Sequence, residues 1–473
     1  MQSEIAVLRF GLGARPGELK RAAADPRGWL REQLRGPVTL SSSLRLAPSD
    51  EILSSFLAAR AERRQRKKAD AAAGETAESA INAVKEAYLP HYRAQVLARA
   101  QSAAATARPF AERLTHFWAN HFAVSADKGI VTGIAGTLEN EAIRPHVCGR
   151  FQDMLTAVEK HPAMIAFLDN QASVGPNSRA AQFAGRRSAG RQFAAPGGAQ
   201  RQIGINENLA REIMELHTLG VHGGYSQTDV TTFAKVLTGW SIGGMRGQVG
   251  GGIPGRFFFR ENLHEPGAQT MLGRTFREDG VEQGEAVLAA LAHHSSTAQF
   301  LATKLVRHFV ADDPPAALVD RVAEAYRGSG GFLPDVYQAL LSQDAAWETT
   351  QQKFKTPQDL VFSTLRAFDA VPVDPQEPLR SFEFLGQRQF TPGSPAGWPD
   401  NSRSWDGSDA LLHRVVWATR VGERFEQGTD PILVSKESLG RYARPETLAS
   451  VQRAASASQA LALMIMSPEF QRR

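Results

Sequence analysis

The stretch NENLAREIMELHTLGVHGGYSQTDVTTFAKVLTGW, residues 206–240, decides the fold class. Asn206 is suited to cap a helix, Glu207 to sit at its positive end, and Gly220 to stop it. At about 100° per residue, Asn208, Arg211, Glu212 and Glu215 share a polar arc. Leu209, Ile213, Met214 and Leu216 form the apolar arc, and His217 falls among them. Gly223-Gly224 then turns the chain, and Ser226 with Asp229 has the form of a capping box opening a second helix. Val230, Phe233, Val236, Leu237 and Trp240 give that helix its apolar contacts. The polar arc has a bland explanation, a solvated face with Arg211 and Glu215 paired at i,i+4 spacing. His217 has one too, a core histidine satisfied by a backbone carbonyl.

Outward from this pair, helical periodicity dominates and long β-alternation is nearly absent. The chain is predicted to be predominantly all-α, a large multi-helical body with a small β-hairpin and glycine-rich loop insertions. Helices are expected near 17–35, 49–69, 76–106, 108–124, 129–144, 150–158, 161–169, 207–219, 227–239, 281–294, 297–310, 315–327, 333–343, 357–370, 408–426 and 446–466. Thr356-Pro357-Gln358-Asp359 places proline at a first helical position, and Ser296 to Gln299 has the spacing of a capping box. The hairpin would pair RFFFR, 256–260, with 271–276. Residues 172–204, rich in Gly, Ala, Arg, Gln and Ser, read as a disordered insertion, and 241–255 as a glycine-rich loop. The expected organisation is an N-terminal lobe over 1–240, loop and hairpin over 241–280, and a C-terminal helical lobe over 281–473.

Composition narrows the function classes. With 42% hydrophobic residues, the 473-residue chain can bury a sizeable core. A net charge of +5 is only mildly basic, and much of the excess sits in Arg63, Arg64, Arg66, Lys67 and Lys68. No aromatic ladder or nucleic-acid motif accompanies that run, so specific nucleic-acid binding is not expected. Cys148 is the only cysteine, which rules out an intrachain disulfide and a cysteine metal site; packing explains it better than thiol chemistry. No apolar run reaches membrane-spanning length. The N-terminus lacks the pattern of an export signal, so the chain reads as cytoplasmic as written, or as periplasmic if a signal has been trimmed.

Three helices bring ionisable groups toward apolar faces. In RLTHFWANHF, His121 shares an arc with Leu114, Phe117, Trp118 and Phe122, whereas Arg113, His116 and Asn120 occupy the polar one. His116 and His121 stand about 140° apart, too far round the helix to chelate one ion as an i,i+4 pair would. The next helix carries Gly129, Gly133, Gly136 and Asn140 in a stripe that invites close approach by a neighbour. Glu141 falls on its apolar face, either paired with Arg144 or available to His121 and His217. Inward-facing histidines and carboxylates follow the plan of bundle metal sites, but the diagnostic Glu-x-x-His is missing. His264-Glu265 is a loop candidate with an incidental explanation. No Gly-x-Ser-x-Gly elbow, phosphate loop or dinucleotide fingerprint is present.

Several further stretches carry a resemblance: LRFG at 8–11, HFWANHF at 116–122, HPAMIAFLDN at 161–170 and HEPGAQTMLG at 264–273. TAQFLATKLVRHFV at 297–310, KFKTPQDLV at 353–361 and PAGWPDNSRSW at 395–405 complete the series. Together with residues 206–240 they resemble the large bacterial family of unknown function DUF1800. The resemblance implies a mostly helical protein and supplies no activity or catalytic residues. It also implies a sulfatase-like companion, because members often look like neighbours of such proteins.

The leading functional reading is an enzyme, metal-assisted and hydrolytic or redox, with a pocket between helices 110–124, 129–146 and 207–219. His121, Glu141 and His217 would ligate a divalent metal or do acid–base work, Glu212 would act as carboxylate ligand or base, and Arg211 would clamp an anion. The substrate would be a small molecule or a polymer. The alternative is a non-catalytic scaffold or accessory protein for a sulfatase-like partner or an acidic polymer, its polar groups fixing helix registry.

Overall fold

Ser226 Oγ accepts from the Asp229 N–H at 3.2 Å, and the Asp229 carboxylate accepts from the Ser226 N–H at 2.8 Å, so the capping box opens the Gln227–Val236 helix as its spacing predicts. Thr356 caps the Pro357–Ala367 helix by accepting from the Asp359 N–H, and Gly220 ends the preceding helix at φ +82°. The Ser295–Phe309 helix starts differently from expectation: the His294 ring, in place of Ser296, accepts the free N–H of the first turn.

The computed structural model describes residues 1–41, 43–69, 77–189, 204–244 and 251–473, with the side chains of 60–69, 77–86 and 185–189 left aside. Within it the chain is predominantly helical, and strand is confined to two short antiparallel pairs. The expected hairpin is re-paired. Phe257–Phe259 runs against Trp240–Ile242, and Gln269–Met271 against Arg274–Phe276. The first of these pairs puts Trp240 beside Phe257, with ring centroids 5.3 Å apart. Of the segment expected to be an insertion, Arg179–Ala189 forms a helix, while 190–203 lies outside the described residues, as does 245–250 of the glycine-rich loop. The basic run from Arg63 to Lys68 belongs to the Ser49–Ala69 helix, with its side chains outside the description.

One hydrophobic core draws side chains from both ends of the chain. Phe10 packs on Phe110, Phe309 and Trp347 at 5.4 to 5.9 Å between centroids, and Phe110 meets Tyr337. The Ala77–Ala105 helix crosses this body and packs against Val131–Thr137, Pro357–Ala367 and Gln376–Phe384. The glycine stripe acts as expected at two of its positions, where Gly133 lies under Tyr88 and Gly136 under Gln95.

Among the described residues three helices contain a π-helical turn, at Ile5–Phe10, Leu138–Ile143 and Ile213–Thr218. Backbone i to i−5 closures are seen in Gly11 N–H to Ala6 O and Arg144 N–H to Glu139 O, and in the third turn the Thr218 hydroxyl donates to Ile213 O. Each turn adds about one residue to the helical repeat and rotates everything beyond it by roughly 100° against a regular wheel. Each also carries a polar side chain into the interior: Arg9, Glu139 and His217 are all buried. Arg9 donates to the carbonyls of Ala346, Glu348 and Thr350 at 2.7 to 2.8 Å, which fastens the first turns of the chain to a distant loop.

The close helix contact gives a stability prediction. A Cβ at Gly133 would stand 2.3 Å from Tyr88 Cδ1, so Gly133→Ala should lower stability by about 1–3 kcal/mol through overpacking. Gly328, in the Ala316–Ser329 helix, has open space at that position, and Gly328→Ala should be neutral or stabilising by about 0.5–1 kcal/mol. Urea midpoints check the contrast, and equal shifts for the two variants would refute it.

Candidate functional site

The polar arc of the Pro109–His121 helix is not solvated. Arg113, His116 and Asn120 line a cavity of about 590 Å³, joined by His121 from the adjoining face. A second wall is the Ser295–Phe309 helix, which presents Lys304, Arg307 and His308. The third is a segment without helix or strand, 387–401, that contributes Gln389, Trp398 and Asp400. Asn120 holds this segment as a backbone would: its Oδ1 accepts from the Trp398 N–H at 2.7 Å and its Nδ2 donates to Trp398 O at 2.9 Å. Such closeness requires glycine before Trp398. Gly397 has φ +84°, and a Cβ there would stand 2.3 Å from Asn120 O.

Pinned in this way, the segment delivers Asp400 to His308. Their Oδ2 and Nδ1 atoms lie 2.7 Å apart, and the other ring nitrogen, Nε2, has no hydrogen-bond partner. Burial pushes the His308 imidazole down to about 4 despite the pull of Asp400, so the ring is neutral at neutral pH. The neutral ring donates its Nδ1–H to Asp400 and keeps Nε2 as the lone-pair nitrogen. Burial disfavours the Asp400 anion, but His308, Lys353 and Arg473 outweigh it and hold the carboxyl well below the usual range. Lys353 Nζ lies 3.2 Å from Asp400 Oδ1 and 2.7 Å from Asp312 Oδ1. One turn before His308, the Lys304 ammonium makes no ion pair among the described residues and lies 5.5 Å from the Phe300 ring. Burial brings its amine down to about 8, with Asp400 opposing and Arg307 assisting.

Behind these groups the charges are paired. Asp359 accepts from Arg113 at 2.9 Å and from Arg473 at 3.0 Å, and Arg473 also donates to His308 O at 2.7 Å. Arg144 grips both oxygens of Glu112, at 2.5 and 2.8 Å, and reaches Glu139, which faces Arg99 at 3.1 Å. His116 stands 3.3 Å from Glu112, yet neither ring nitrogen makes a hydrogen bond. Burial and the nearby Arg99 lower its basicity.

Of the residues singled out from sequence, His121 and His217 do come together, with ring centroids 6.1 Å apart. His121 Nε2 lies 3.1 Å from His217 O, and burial, then Lys304 and His217, hold its ring neutral. The carboxylate beside His217 is Glu159, fully buried at 2.8 Å, and not Glu141. Glu141 accepts instead from Ser49 N–H and Oγ, both at 2.7 Å, and meets His161 at 3.1 Å. The expected Glu141–Arg144 pair is likewise replaced, because the π turn aims Glu139 inward and leaves Glu141 one-third exposed. No three-group metal cluster exists among the described residues, so His121, Glu141 and His217 are not assembled as a ligand set. Arg211 pairs at the surface with Glu207 at 3.1 Å, not with Glu215. Glu212 is half-buried, its pKa raised by burial, and does not line the cavity. Burial raises the Cys148 thiol to about 11, in keeping with an inert residue. His264 and Glu265 are structural: the first reaches Thr238 O, the second accepts from Asn177.

Sequence reasoning missed Lys304, His308, Asp400 and Glu159. Lys304 and His308 were visible as an i,i+4 pair of basic groups, but nothing local joins them to an aspartate 92 residues further on.

Among the described residues, a helical body with a cavity walled by two helices and a pinned segment is the class of protein that the structure shows. The family model described as "Protein of unknown function (DUF1800)" matches residues 5–472, and the chain belongs to that family. Neither a curated protein nor a solved structure matches it.

Asp359 yields a pH prediction. Burial opposes its ionisation, but Arg113 and Arg473 more than compensate, so its folded pKa is depressed. Such a carboxyl adds stability above its unfolded pKa, about 3.9, and that contribution is lost as pH falls through the lower folded value. Asp359→Asn should cost about 3–5 kcal/mol at neutral pH, because two buried guanidinium groups lose their counter-charge. The deficit should shrink on acidification when urea midpoints are compared across pH; a deficit independent of pH would contradict the assignment.

Proposed function

We propose that the cavity is the active site of an acid–base enzyme acting on a small anionic substrate. The observation that carries this reading is the His308–Asp400 pair on the cavity wall, with an unpaired ammonium one helical turn away. Asp400 fixes the imidazole tautomer and favours the imidazolium once Nε2 has taken a proton. The carboxylates lining the cavity are already engaged, Glu139 by Arg99 and Arg144, Asp359 by Arg113 and Arg473, Asp400 by Lys353 and His308. The charges left over are positive: Lys304, and Arg307, whose Nε donates only to Asp312 O. A bound anion would complement them and raise the basicity of His308, so substrate binding and activation of the base are coupled. The cavity volume suits a metabolite-sized ligand better than a polymer strand.

The metal-assisted version loses its support with the removal of Glu141 from the histidine pair. The accessory-protein version predicts that changes at His308 alter stability alone.

The test is turnover of pooled small carboxylates and phosphates, followed by mass spectrometry, alongside thermal-shift binding. Wild type should convert at least one anion. His308→Gln should bind it but lose roughly 10²–10⁴-fold in rate, the range a general base supplies. Lys304→Met should weaken binding. If no anion binds or turns over, or if His308→Gln matches wild type, the proposal fails.

A further inference from the structure

Lys304, which is half-buried, differs from Lys128, Lys160, Lys353 and Lys355 in what its amine meets. Lys353 is paired with Asp312 and Asp400. Lys355 donates to Ser363 Oγ at 3.0 Å, stacks 4.1 Å over Phe470, and does not line the cavity. Lys128 and Lys160 are paired with Asp169 and Glu285. Lys304 alone of this group puts an amine that makes no ion pair among the described residues on the cavity wall, over an aromatic ring and about 6 Å along the helix axis from His308. An ammonium left without a counter-charge in low dielectric gives up its proton more readily, which turns a cation into a nucleophile. The downward shift of this amine to about 8 follows the same logic.

We propose that Lys304 is the covalent nucleophile of this site and forms an imine with the carbonyl carbon of a small oxo acid, a proposal that rests on the acid–base reading above. Oxo acids combine the two features that the cavity complements, an electrophilic carbonyl for the amine and an anionic group for Arg307. With the oxo acid bound, the Lys304 ammonium first gives a proton to His308 Nε2, leaving a neutral amine and an imidazolium. Lys304 Nζ then attacks the carbonyl carbon, a C–N bond forms and the π pair moves to oxygen. The carbinolamine then loses water: the C–O bond breaks, and oxygen leaves with one proton from the amine and one from the protonated His308 imidazole. The resulting iminium accepts the electron pair of a C–H bond on the neighbouring carbon, whose proton goes to the now neutral His308, or of a C–carboxylate bond, which releases carbon dioxide. The enamine then takes a proton at that carbon and becomes an iminium again. Hydrolysis by water returns Lys304, and no oxidant or reductant is required.

Reductive trapping tests this directly. The full chain is incubated separately with pyruvate, acetoacetate and 2-oxoglutarate, treated with sodium cyanoborohydride, and mapped by peptide mass spectrometry. With at least one oxo acid, the reduced adduct should concentrate on the Lys304 peptide, and it should vanish in Lys304→Arg while surface lysines label equally in both proteins. His308→Gln should slow adduct formation. Labelling confined to surface lysines, with Lys304 unmodified by all three acids, would overturn the imine. Thermal shifts on the same samples keep the two ideas apart: an oxo acid that stabilises wild type without labelling Lys304 removes the covalent step and leaves the acid–base reading intact.

Discussion

Asp359 is the charge on which the site depends. It sits in the first turn of the Pro357–Ala367 helix, where the Thr356 cap fixes its backbone, and it is shared by Arg113 of the Pro109–His121 helix and Arg473 near the end of the chain. Three segments far apart in sequence are thereby referenced to one carboxylate. Arg473 then donates to the carbonyl of His308, so the same charge sets where the imidazole stands relative to Asp400. A buried carboxylate with one guanidinium would be a poor bargain against desolvation; with two, and with a good hydrogen bond to each, the ionised state is strongly favoured.

The second constraint is the set of π turns. A regular helix offers one continuous apolar stripe and must hide polar residues on the other side. Inserting a π turn lets a helix keep its hydrophobic contacts on both sides of the turn while swinging one polar residue inward. Arg9, Glu139 and His217 are those residues, and their partners are carbonyls of a distant loop, Arg99 with Arg144, and Glu159. The interior therefore holds a connected polar framework alongside a large apolar core, and the cavity opens where that framework runs out of partners. His116, His121 and His308 each leave at least one ring nitrogen unsatisfied along its wall.

In the proposed function, the working groups are those that remain unpaired. Most of the ionisable groups around the cavity neutralise one another and serve as scaffold. The imidazole edge of His308 and the Lys304 amine stand outside that mutual neutralisation, on a single helix face, opposite a segment locked by Asn120 and Gly397. Rigid support on three sides with reactive groups on one is the distribution that positioned catalysis needs.

The sequence by itself determined the helical class, the capping box at Ser226 and Asp229, the stop at Gly220 and the close helix approach at Gly133 and Gly136, since each depends on residues within a turn or two. It also singled out His121 and His217, because a histidine on an apolar arc needs a partner whatever the fold. Only the tertiary structure decided who the partners are. Glu159 replaced Glu141, and Arg144 turned to Glu112 and Glu139, because a π turn changes the rotational phase of a helix without any local signature that a wheel at fixed pitch can register. The strands re-paired because a three-residue strand has too few contacts of its own to choose between neighbours. The cavity, finally, is assembled from helices and a loop hundreds of residues apart, so its electrostatics exist only once long-range packing has excluded water from around the charges.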